Sequence, residues 1–352
     1  MGIQVYLGLS NGETRTVNSF NEKIFWEPQK EPNPHLLLSG CSGSGKTETL
    51  KVICQELTAQ GVPLLIFDFH NDFHGFADQI INEKNVRMHP LQILPGEKPM
   101  DVVHKISSII MHTFKSITTV QEGTIREAIK KFYTSSGIKD LRQPFDGKTQ
   151  LLPFARFPEY IDMASTDQRT VSSIKVKLGI LYDYELFDAY EDAINFDSLL
   201  TDTTVFQLKS APSDDVKRIV TELMIYKLIQ YSYNLEQTKN LRLFCLIDEA
   251  HRMVYPGSPI DTLLREARKY GIGVILASQR ATDFNENILA NASSIITFKQ
   301  NLAKDANYIA RNKWGDRDQL MNAQPGVGYI RLSSRKVAVP VSVVSLAERQ
   351  RK

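Results

Sequence analysis

The segment that most constrains the fold is the octapeptide Gly-Cys-Ser-Gly-Ser-Gly-Lys-Thr at residues 40–47, which fits the pattern G-x-x-x-x-G-K-[ST]. The apolar run before it, residues 35–39, is typical of a buried strand, and residues 48–57 after it have a helical pattern. A strand, a glycine-rich turn and a helix in this order form a loop whose backbone N–H groups surround a phosphate. The sequence therefore predicts an α/β protein with a phosphate-binding loop.

The residue types of this loop fit a nucleoside triphosphate. Glycines let the backbone wrap around phosphate oxygens, and the following helix adds the positive end of its dipole. We expect the Lys46 ammonium to reach the β- and γ-phosphates and the Thr47 hydroxyl to bind Mg²⁺. The predicted cofactors are thus ATP and Mg²⁺. The predicted nucleotide-binding residues are Gly40, Cys41, Ser42, Gly43, Ser44, Gly45, Lys46 and Thr47.

Two adjacent carboxylates, Asp248 and Glu249, follow a second apolar run at residues 243–247. Asp248 is suited to hold Mg²⁺ through water, and Glu249 lies where a base can polarise the water that attacks the γ-phosphate. A further strand, residues 272–278, ends at Gln279, whose amide can sense the γ-phosphate and orient that water. Glu249 and Gln279 are therefore predicted catalytic residues, and Thr47 and Asp248 are predicted metal ligands.

Short apolar runs alternate with helical patterns over most of the chain, which predicts a mostly parallel sheet. Two further runs, residues 327–332 and 337–344, flank the polar residues 333–336 and predict a C-terminal β-hairpin. The predicted strands of the parallel sheet span residues 35–39, 62–69, 203–208, 241–247, 272–278 and 294–298.

The pattern changes between residue 94 and about residue 198, where apolar residues recur at three- and four-residue spacing and strand-like runs disappear. We interpret this region as a helical subdomain inserted into the α/β core, with helices near residues 102–114, 124–133 and 170–182. The expected division is an N-terminal extension (1–32), a core (33–94 and 199–335), a helical insert (95–198), and a C-terminal strand and tail (336–352).

The composition of the chain indicates its cellular compartment more than its chemistry. The chain has 352 residues, with 42 Lys+Arg against 40 Asp+Glu, and a net charge of +2 neither supports nor excludes nucleic acid. No apolar run approaches the ~18 residues that span a bilayer, and the N-terminus lacks signal-peptide features. Cys41, Cys54 and Cys245 cannot all pair, which fits a reducing compartment. We therefore expect a cytoplasmic protein with no membrane partner.

The order of these motifs resembles the HerA/FtsK superfamily of ring-forming, ATP-driven DNA translocases. The resemblance covers residues 33–335 and is carried by the phosphate loop, Asp-Glu-Ala-His (248–251), Arg-Glu-Ala-Arg-Lys-Tyr-Gly-Ile-Gly (265–273), and Ala-Ser-Gln-Arg (277–280). It implies a RecA-like core and a homohexamer around double-stranded DNA. It further implies that Arg268 is an arginine finger acting in trans, on the ATP of the neighbouring subunit. Asp68 falls at the aspartate of the family's second-strand motif.

The chain departs from the family pattern at its N-terminus, because too few residues precede the core to form the β-barrel typical of HerA proteins. We interpret it as a motor domain taken from a longer protein. The run Pro-His-Leu-Leu-Leu-Ser-Gly at residues 34–40 resembles the ATPase of phosphorothioation-dependent restriction systems (DptH-like). That resemblance implies a nuclease or other restriction-system partner.

Two alternatives remain open, because the same catalytic residues would serve a nucleotide-gated assembly scaffold for a partner nuclease or a secretion or conjugation ATPase of the VirB4 kind. RNA helicases that share Asp-Glu-Ala-His carry a second RecA-like core, for which the chain beyond residue 300 has no room. His70 and His74 have i, i+4 spacing but follow a strand instead of lying in a helix, so a metal pair is not expected.

Non-specific binding to duplex DNA requires basic residues where the phosphates pass, since the net charge is small. The predicted group follows the strand at 294–298 and is opposed only by Asp305; it comprises Lys299, Lys304, Arg311 and Lys313. A solvated helix face is the alternative interpretation. If these residues contact phosphates, affinity should fall steeply with salt.

Overall fold

The computed structural model describes residues 2–10, 22–82, 88–183, 187, 194–335 and 337–349. Residues 11–21 of the expected N-terminal extension and 350–352 of the expected tail lie outside the described residues. The chain divides into two compact units. We call Met1–Ile80, Asp197–Lys209 and Leu235–Lys352 the core unit, and Ile81–Phe196 and Ser210–Asn234 the helical unit. Compared with the expected insert at 95–198, the helical unit also includes residues 81–94 and 210–234.

The described residues form an eleven-stranded sheet with the order β2-β1-β11-β10-β9-β3-β8-β7-β4-β6-β5. The strands are β1 (Val5–Ser10), β2 (Lys23–Trp26), β3 (Leu36–Ser39), β4 (Leu64–Asp68), β5 (Gln79–Asn82), β6 (Thr204–Gln207), β7 (Thr238–Ile247), β8 (Tyr270–Ser278), β9 (Ser294–Phe298), β10 (Val327–Leu332) and β11 (Val339–Val343).

The centre of the sheet is parallel: β9, β3, β8, β7, β4 and β6 pair in that order and in the same direction. Every residue of β3, β4 and β9 is buried, as expected for strands covered on both faces. The predicted, mostly parallel α/β sheet is therefore confirmed.

The predicted C-terminal hairpin is confirmed as well, since β10 and β11 pair antiparallel and β10 also pairs antiparallel with β9. Strand β1 pairs with β11, and β2 pairs with β1, which extends the sheet with N-terminal residues that the sequence pattern did not indicate as strands. Trp26 at the end of β2 is buried and donates from Nε1 to Ser294 Oγ at 3.1 Å. The short expected extension is thus part of the core unit.

In the described part of the chain, no helix is long and apolar enough to cross a membrane. The helices are α1 (Lys46–Thr58), α2 (Pro99–Thr113), α3 (Thr119–Ser135), α4 (Phe157–Ala164), α5 (Gln168–Asp183), α6 (Asp214–Ser232), α7 (Pro259–Glu266), α8 (Glu286–Ala290), α9 (Ala303–Arg311), α10 (Arg317–Asn322) and α11 (Leu346–Arg349).

The helical unit contains α2–α6, and the predicted inserted helical subdomain corresponds to its α2, α3 and α5. Helix α3 begins at a capping box, in which Thr118 and Gln121 each bond the other's backbone N–H. Helix α6 packs against α2, which explains why residues 210–234 group with this unit. Its buried Lys227 pairs with Glu97 at 3.3 Å, so two buried charges are matched.

Candidate nucleotide-binding site

A cleft of about 700 Å³ lies at the carboxyl edge of the parallel strands in the core unit. Strands β3, β7 and β8 run in the same direction, and Ser39 pairs in register with Ser278, so the segments that follow these strands emerge side by side. The cleft is lined by Ser42, Gly43, Gly45, Lys46, Thr47, Glu48, Thr49, His70, Asp248, Glu249, Gln279, Pro325, Gly326, Val343, Ser345 and Glu348.

Two glycines of the phosphate loop have backbone conformations that other residues rarely adopt, with φ of 73° at Gly43 and 109° at Gly45. Gly45 also has no room for a side chain, because a Cβ atom there would lie 2.7 Å from the backbone nitrogen of Gly326. A Cβ atom added at Gly40 would likewise lie 2.7 Å from the Cβ of Phe298. The glycine pattern is therefore required by both conformation and packing.

Backbone hydrogen bonds hold the phosphate loop to three neighbouring segments. Gly40 N–H donates to the carbonyl of Ser278 at 3.3 Å, and Cys41 N–H donates to that of Lys299 at 2.8 Å. Gly326 N–H donates to the carbonyl of Ser44 at 2.9 Å. The ends of β8 and β9 and the beginning of β10 thus fix the loop position before any ligand arrives, which lowers the ordering cost of binding.

Lys46 is the buried cation of the cleft. Its Nζ donates to the carbonyl oxygens of Gly40 at 2.6 Å and Cys41 at 3.1 Å. Burial lowers the pKa of Lys46, while the carboxylates of Asp248 and Glu249 oppose that shift. A buried ammonium with only partial charge compensation is well suited to receive phosphate oxygens.

Asp248 and Glu249 lie at the end of β7, with only 4% and 6% of their surfaces exposed. Burial, reinforced by the charge of Glu249, raises the pKa of Asp248 to about 6, although the Glu249 N–H bond at 2.9 Å and the charge of Lys46 oppose this. A divalent cation would relieve this carboxylate repulsion, and oxygen atoms are the ligands that Mg²⁺ prefers. Thr47 lines the same cleft, so a hydroxyl and a carboxylate are available to hold Mg²⁺.

Gln279 lies beside Glu249, because its Nε2 is 3.1 Å from Oε1 and 3.2 Å from Oε2 of that carboxylate. Glu249 itself has a positive φ of 59°, which turns its side chain at the end of β7. His251 Nδ1 is 3.5 Å from Glu249 Oε2 on the other side. A carboxylate held in this way can accept a proton from a water molecule in the cleft, while bound Mg²⁺ would supply charge stabilisation to the phosphates.

Arg268 does not line this cleft. It lies in the short 3-10 turn Ala267–Lys269, immediately before β8 begins, whereas the phosphate loop follows the end of the parallel strand β3. The nine residues of β8 separate the two edges of the sheet by roughly 30 Å. Arg268 is exposed, and its Nη1 is 3.5 Å from the carbonyl oxygen of Pro32.

Asp68 has a structural role in the described geometry, although it falls at a family motif. Its Oδ1 accepts the N–H groups of His70 and Asp72, both at 3.1 Å, and its Oδ2 accepts that of Phe73 at 2.9 Å. The carboxylate therefore shapes the turn after β4. That turn brings His70 to the cleft, while His74 Nδ1 lies 3.3 Å from the carbonyl oxygen of Asn71.

The predicted basic group follows β9 at the same carboxyl edge of the sheet. Lys304, Arg311 and Lys313 are exposed, and Lys299, whose carbonyl accepts from the phosphate loop, is half-buried. Lys304 and Arg311 are seven residues apart on α9, which places both on one face of that helix.

The cleft also has a C-terminal wall that was not predicted from the sequence, formed by Pro325, Gly326, Val343, Ser345 and Glu348. The pattern Ser-x-x-Glu at residues 345–348 was the available signal, since it predicts a capping box. In the structure Ser345 N–H donates to Glu348 Oε2 at 2.8 Å. The adjacent Arg349 holds this segment in place through Glu56 at 2.6 Å and the carbonyl of Tyr6 at 2.6 Å.

Residues 30–227 match the sequence model of the family described as "Helicase HerA, central domain", which is more than half of the 352-residue chain. The chain belongs to this family. The resemblance to HerA/FtsK-type P-loop ATPases is therefore confirmed. The chain is similar to the "DNA double-strand break repair helicase HerA" of Sulfurisphaera tokodaii, at 23% identity over 293 residues. These residues cover 78% of this chain and 57% of that protein, so the chain spans about half the length of the curated relatives it matches.

Two solved structures share the fold of this HerA-family chain. VirB4 of Thermoanaerobacter pseudethanolicus has a TM-score of 0.75 at 19% identity, and the match covers 98% of both chains. The plasmid coupling protein TrwB, solved in complex with ADP and Mg²⁺, has a TM-score of 0.62 at 13% identity and covers 88% of this chain and 85% of TrwB. The RecA-like P-loop fold predicted from the sequence is thus confirmed.

Proposed function

We propose that the chain hydrolyses Mg²⁺-ATP and uses the energy to translocate on double-stranded DNA as a hexameric ring. The observation that carries the proposal is the convergence of the phosphate loop, the Asp248–Glu249 pair and Gln279 in one cleft. Each part has a separate chemical task. Lys46 binds phosphate, Thr47 and Asp248 bind Mg²⁺, Glu249 accepts a proton from the attacking water, and Gln279 orients Glu249.

The position of Arg268 supports a ring. An arginine at the amino edge of the sheet is too far from the phosphate loop of its own subunit to stabilise charge on the γ-phosphate. A neighbouring copy packed edge to edge could bring its Arg268 to that phosphate. The proposed arginine finger therefore requires assembly, and hydrolysis should depend on protein concentration when subunits dissociate.

We propose that the chain binds double-stranded DNA without preference for its base sequence. The curated relative from Sulfurisphaera tokodaii is named a DNA double-strand break repair helicase, and the chain carries exposed Lys304, Arg311 and Lys313 in the segment that follows β9. Backbone phosphates would contact these cations without reading base edges. We further propose that the chain acts with a partner nuclease of a restriction system. We also propose a cytoplasmic location, because its three cysteines are all free thiols.

The test measures ATP hydrolysis with and without a linear 60-base-pair duplex, and with a protein control such as albumin in place of DNA. We expect hydrolysis that requires Mg²⁺ and rises with duplex DNA, while the Lys46→Ala variant shows neither. Hydrolysis that ignores DNA would argue against a translocase and favour a nucleotide-gated scaffold. Absence of hydrolysis in the presence of Mg²⁺ and DNA would contradict the assignment of the cleft.

A further inference from the structure

Asp305, on the first turn of α9, is a buried carboxylate with only 1% of its surface exposed. It connects α9 to the loop that follows β8. Its Oδ2 accepts Arg280 Nε at 3.1 Å, and its Oδ1 accepts the backbone N–H of Thr282 at 3.1 Å and the Thr282 hydroxyl at 2.6 Å. Three donors on one carboxylate offset the cost of burying its charge.

A second contact joins the same two segments one helical turn later. The hydroxyl of Tyr308 donates to the carbonyl oxygen of Phe284 at 3.3 Å, and its ring packs edge-on against Trp314 at 5.6 Å. Asp305 and Tyr308 are three residues apart and therefore lie on one face of α9. Two attachment points prevent α9 from pivoting about a single bond, so the loop and the helix should move together.

The other end of this loop lies in the nucleotide cleft. Gln279 directly precedes Arg280 in the chain, and its amide contacts the Glu249 carboxylate at 3.1 and 3.2 Å. A shift of Gln279 toward a bound γ-phosphate would displace Arg280 and Thr282 through the backbone. Because Asp305 binds both of these residues, α9 would shift with them.

Helix α9 carries two of the proposed DNA contacts. Lys304 is adjacent to Asp305 in the chain, and Arg311 ends the helix two turns later, with both side chains exposed. Asp305 is buried against the loop, while the side chains of Lys304 and Arg311 are exposed. The helix thus contacts the loop after β8 through Asp305 and Tyr308 and leaves two cations available to phosphates.

We propose that Asp305 is a positioning residue that couples the nucleotide cleft to the DNA-binding face of α9. In this scheme nucleotide binding changes DNA affinity through the Gln279–Arg280–Thr282 segment, and DNA binding changes hydrolysis through the same contacts. The inference rests on the proposed function, since it needs a chain that hydrolyses ATP and binds duplex DNA.

The experiment compares wild type with Asp305→Asn, in which an amide N–H₂ replaces one acceptor oxygen and faces the Arg280 donor. The matched control is Asp318→Asn on α10, whose side chain is 79% exposed. Each protein is assayed for hydrolysis with and without a 60-base-pair duplex. Each is also assayed for duplex affinity with and without a non-hydrolysable ATP analogue, and thermal melting checks the fold.

For Asp305→Asn we expect hydrolysis without DNA within about twofold of wild type, and stimulation by DNA reduced to near onefold. The effect of the ATP analogue on DNA affinity should disappear as well, because both effects depend on the same contacts of Asp305. Wild type and Asp318→Asn should retain the coupling, on the order of fivefold or more. If Asp305→Asn does not fold, Thr282→Val, which removes only the hydroxyl donor, should lower the stimulation without abolishing it.

Three outcomes would overturn the inference. Stimulation by DNA equal to that of wild type in both folded variants would show that these contacts transmit nothing. A loss of DNA-independent hydrolysis in proportion to stimulated hydrolysis would make Asp305 merely structural. If wild type itself neither binds DNA nor hydrolyses ATP faster in its presence, the proposed function fails and this inference fails with it. In the first two outcomes wild type still responds to DNA, so only this inference fails.

Discussion

The amide of Gln279 contacts both carboxylate oxygens of Glu249, at 3.1 and 3.2 Å, although the two residues are thirty positions apart in sequence. The two residues meet because Glu249 follows β7 and Gln279 follows β8, and these two strands are parallel neighbours in the sheet. The donor fixes the orientation of the carboxylate. Gln279 should therefore act on the catalytic base instead of acting on nucleotide affinity.

The first prediction concerns Gln279. Replacement by Ala should lower kcat by about 10–100-fold, because a misoriented base loses part of the 10²–10⁴-fold that proton transfer contributes. Replacement by Glu should be at least as harmful, since two carboxylates would then face each other. Nucleotide affinity, measured by fluorescent-analogue titration, should remain within about threefold of wild type in Gln279→Ala. An unchanged kcat in both variants would contradict the role.

The second prediction separates binding from chemistry. Lys46→Ala should lose ATP binding, because the buried ammonium is the charged contact to the phosphates. Glu249→Gln should bind Mg²⁺-ATP but hydrolyse it slowly, since an amide cannot accept the proton of the water. Equilibrium binding and single-turnover hydrolysis measure the two effects. Wild-type turnover by Glu249→Gln would refute the assignment of the base.

The third prediction is that Arg268 acts in trans. Arg268→Ala should lower kcat by several orders of magnitude, within the ~10³–10⁵-fold known for arginine fingers. Arg265→Ala, an exposed arginine on the preceding helix α7, is the matched control. Mixing Lys46→Ala with Arg268→Ala subunits should restore some hydrolysis, because a mixed interface can contain one intact loop and one intact arginine. No rescue at any ratio, despite proven co-assembly, would count against a trans role.

The fourth prediction concerns the basic face of α9. Affinity for two unrelated duplexes should be similar and should fall steeply with salt, with a log–log slope of about −0.9 for each phosphate neutralised. Lys304→Ala and Arg311→Ala should each make that slope shallower by about 0.9. Lys30→Ala, whose side chain is 68% exposed, is the control and should leave the slope unchanged. A strong preference for one duplex sequence would contradict phosphate-mediated binding.

The fifth prediction concerns stability and pH. His35 is fully buried, its Nδ1 accepts the Val274 N–H at 3.1 Å, and burial lowers the pKa of His35 to about 4. Below pH ~6.5 the unfolded chain binds a proton that the folded chain does not, so stability should fall as pH decreases, by ~1.4 kcal/mol per pH unit at this site.

Urea unfolding at pH 7.5 and pH 5.0 tests this shift. Between pH 7.5 and pH 5.0 the free energy of unfolding should fall by ~2 kcal/mol more in wild type than in His35→Gln. Glutamine keeps an acceptor for the Val274 N–H but does not titrate. His104→Gln, at an exposed position on α2, should behave like wild type. If the difference in free energy of unfolding between wild type and His35→Gln were the same at both pH values, the titration of His35 would be ruled out.

Contiguous sequence patterns were sufficient to predict the local features of the chain. The phosphate loop, the acidic pair after β7 and the strand ends are contiguous patterns, and β9 and β10 span the predicted residues because buried apolar runs have sharp polar limits. The strand context of Gly40–Thr47 also fixed the fold class. These features depend on residues within one turn or one strand of each other.

Contacts between residues that are distant in sequence could not be predicted in this way. The pairing of Gln279 with Glu249, the connection of Asp305 to Arg280 and the packing of Gly326 on Gly45 depend on strand order and register, which local periodicity does not encode. The same holds for β1 and β2, whose short runs become strands because β11 offers an edge to β1 and β1 offers an edge to β2. Residue types specified the chemistry, and the long-range pairing of the sheet specified its geometry.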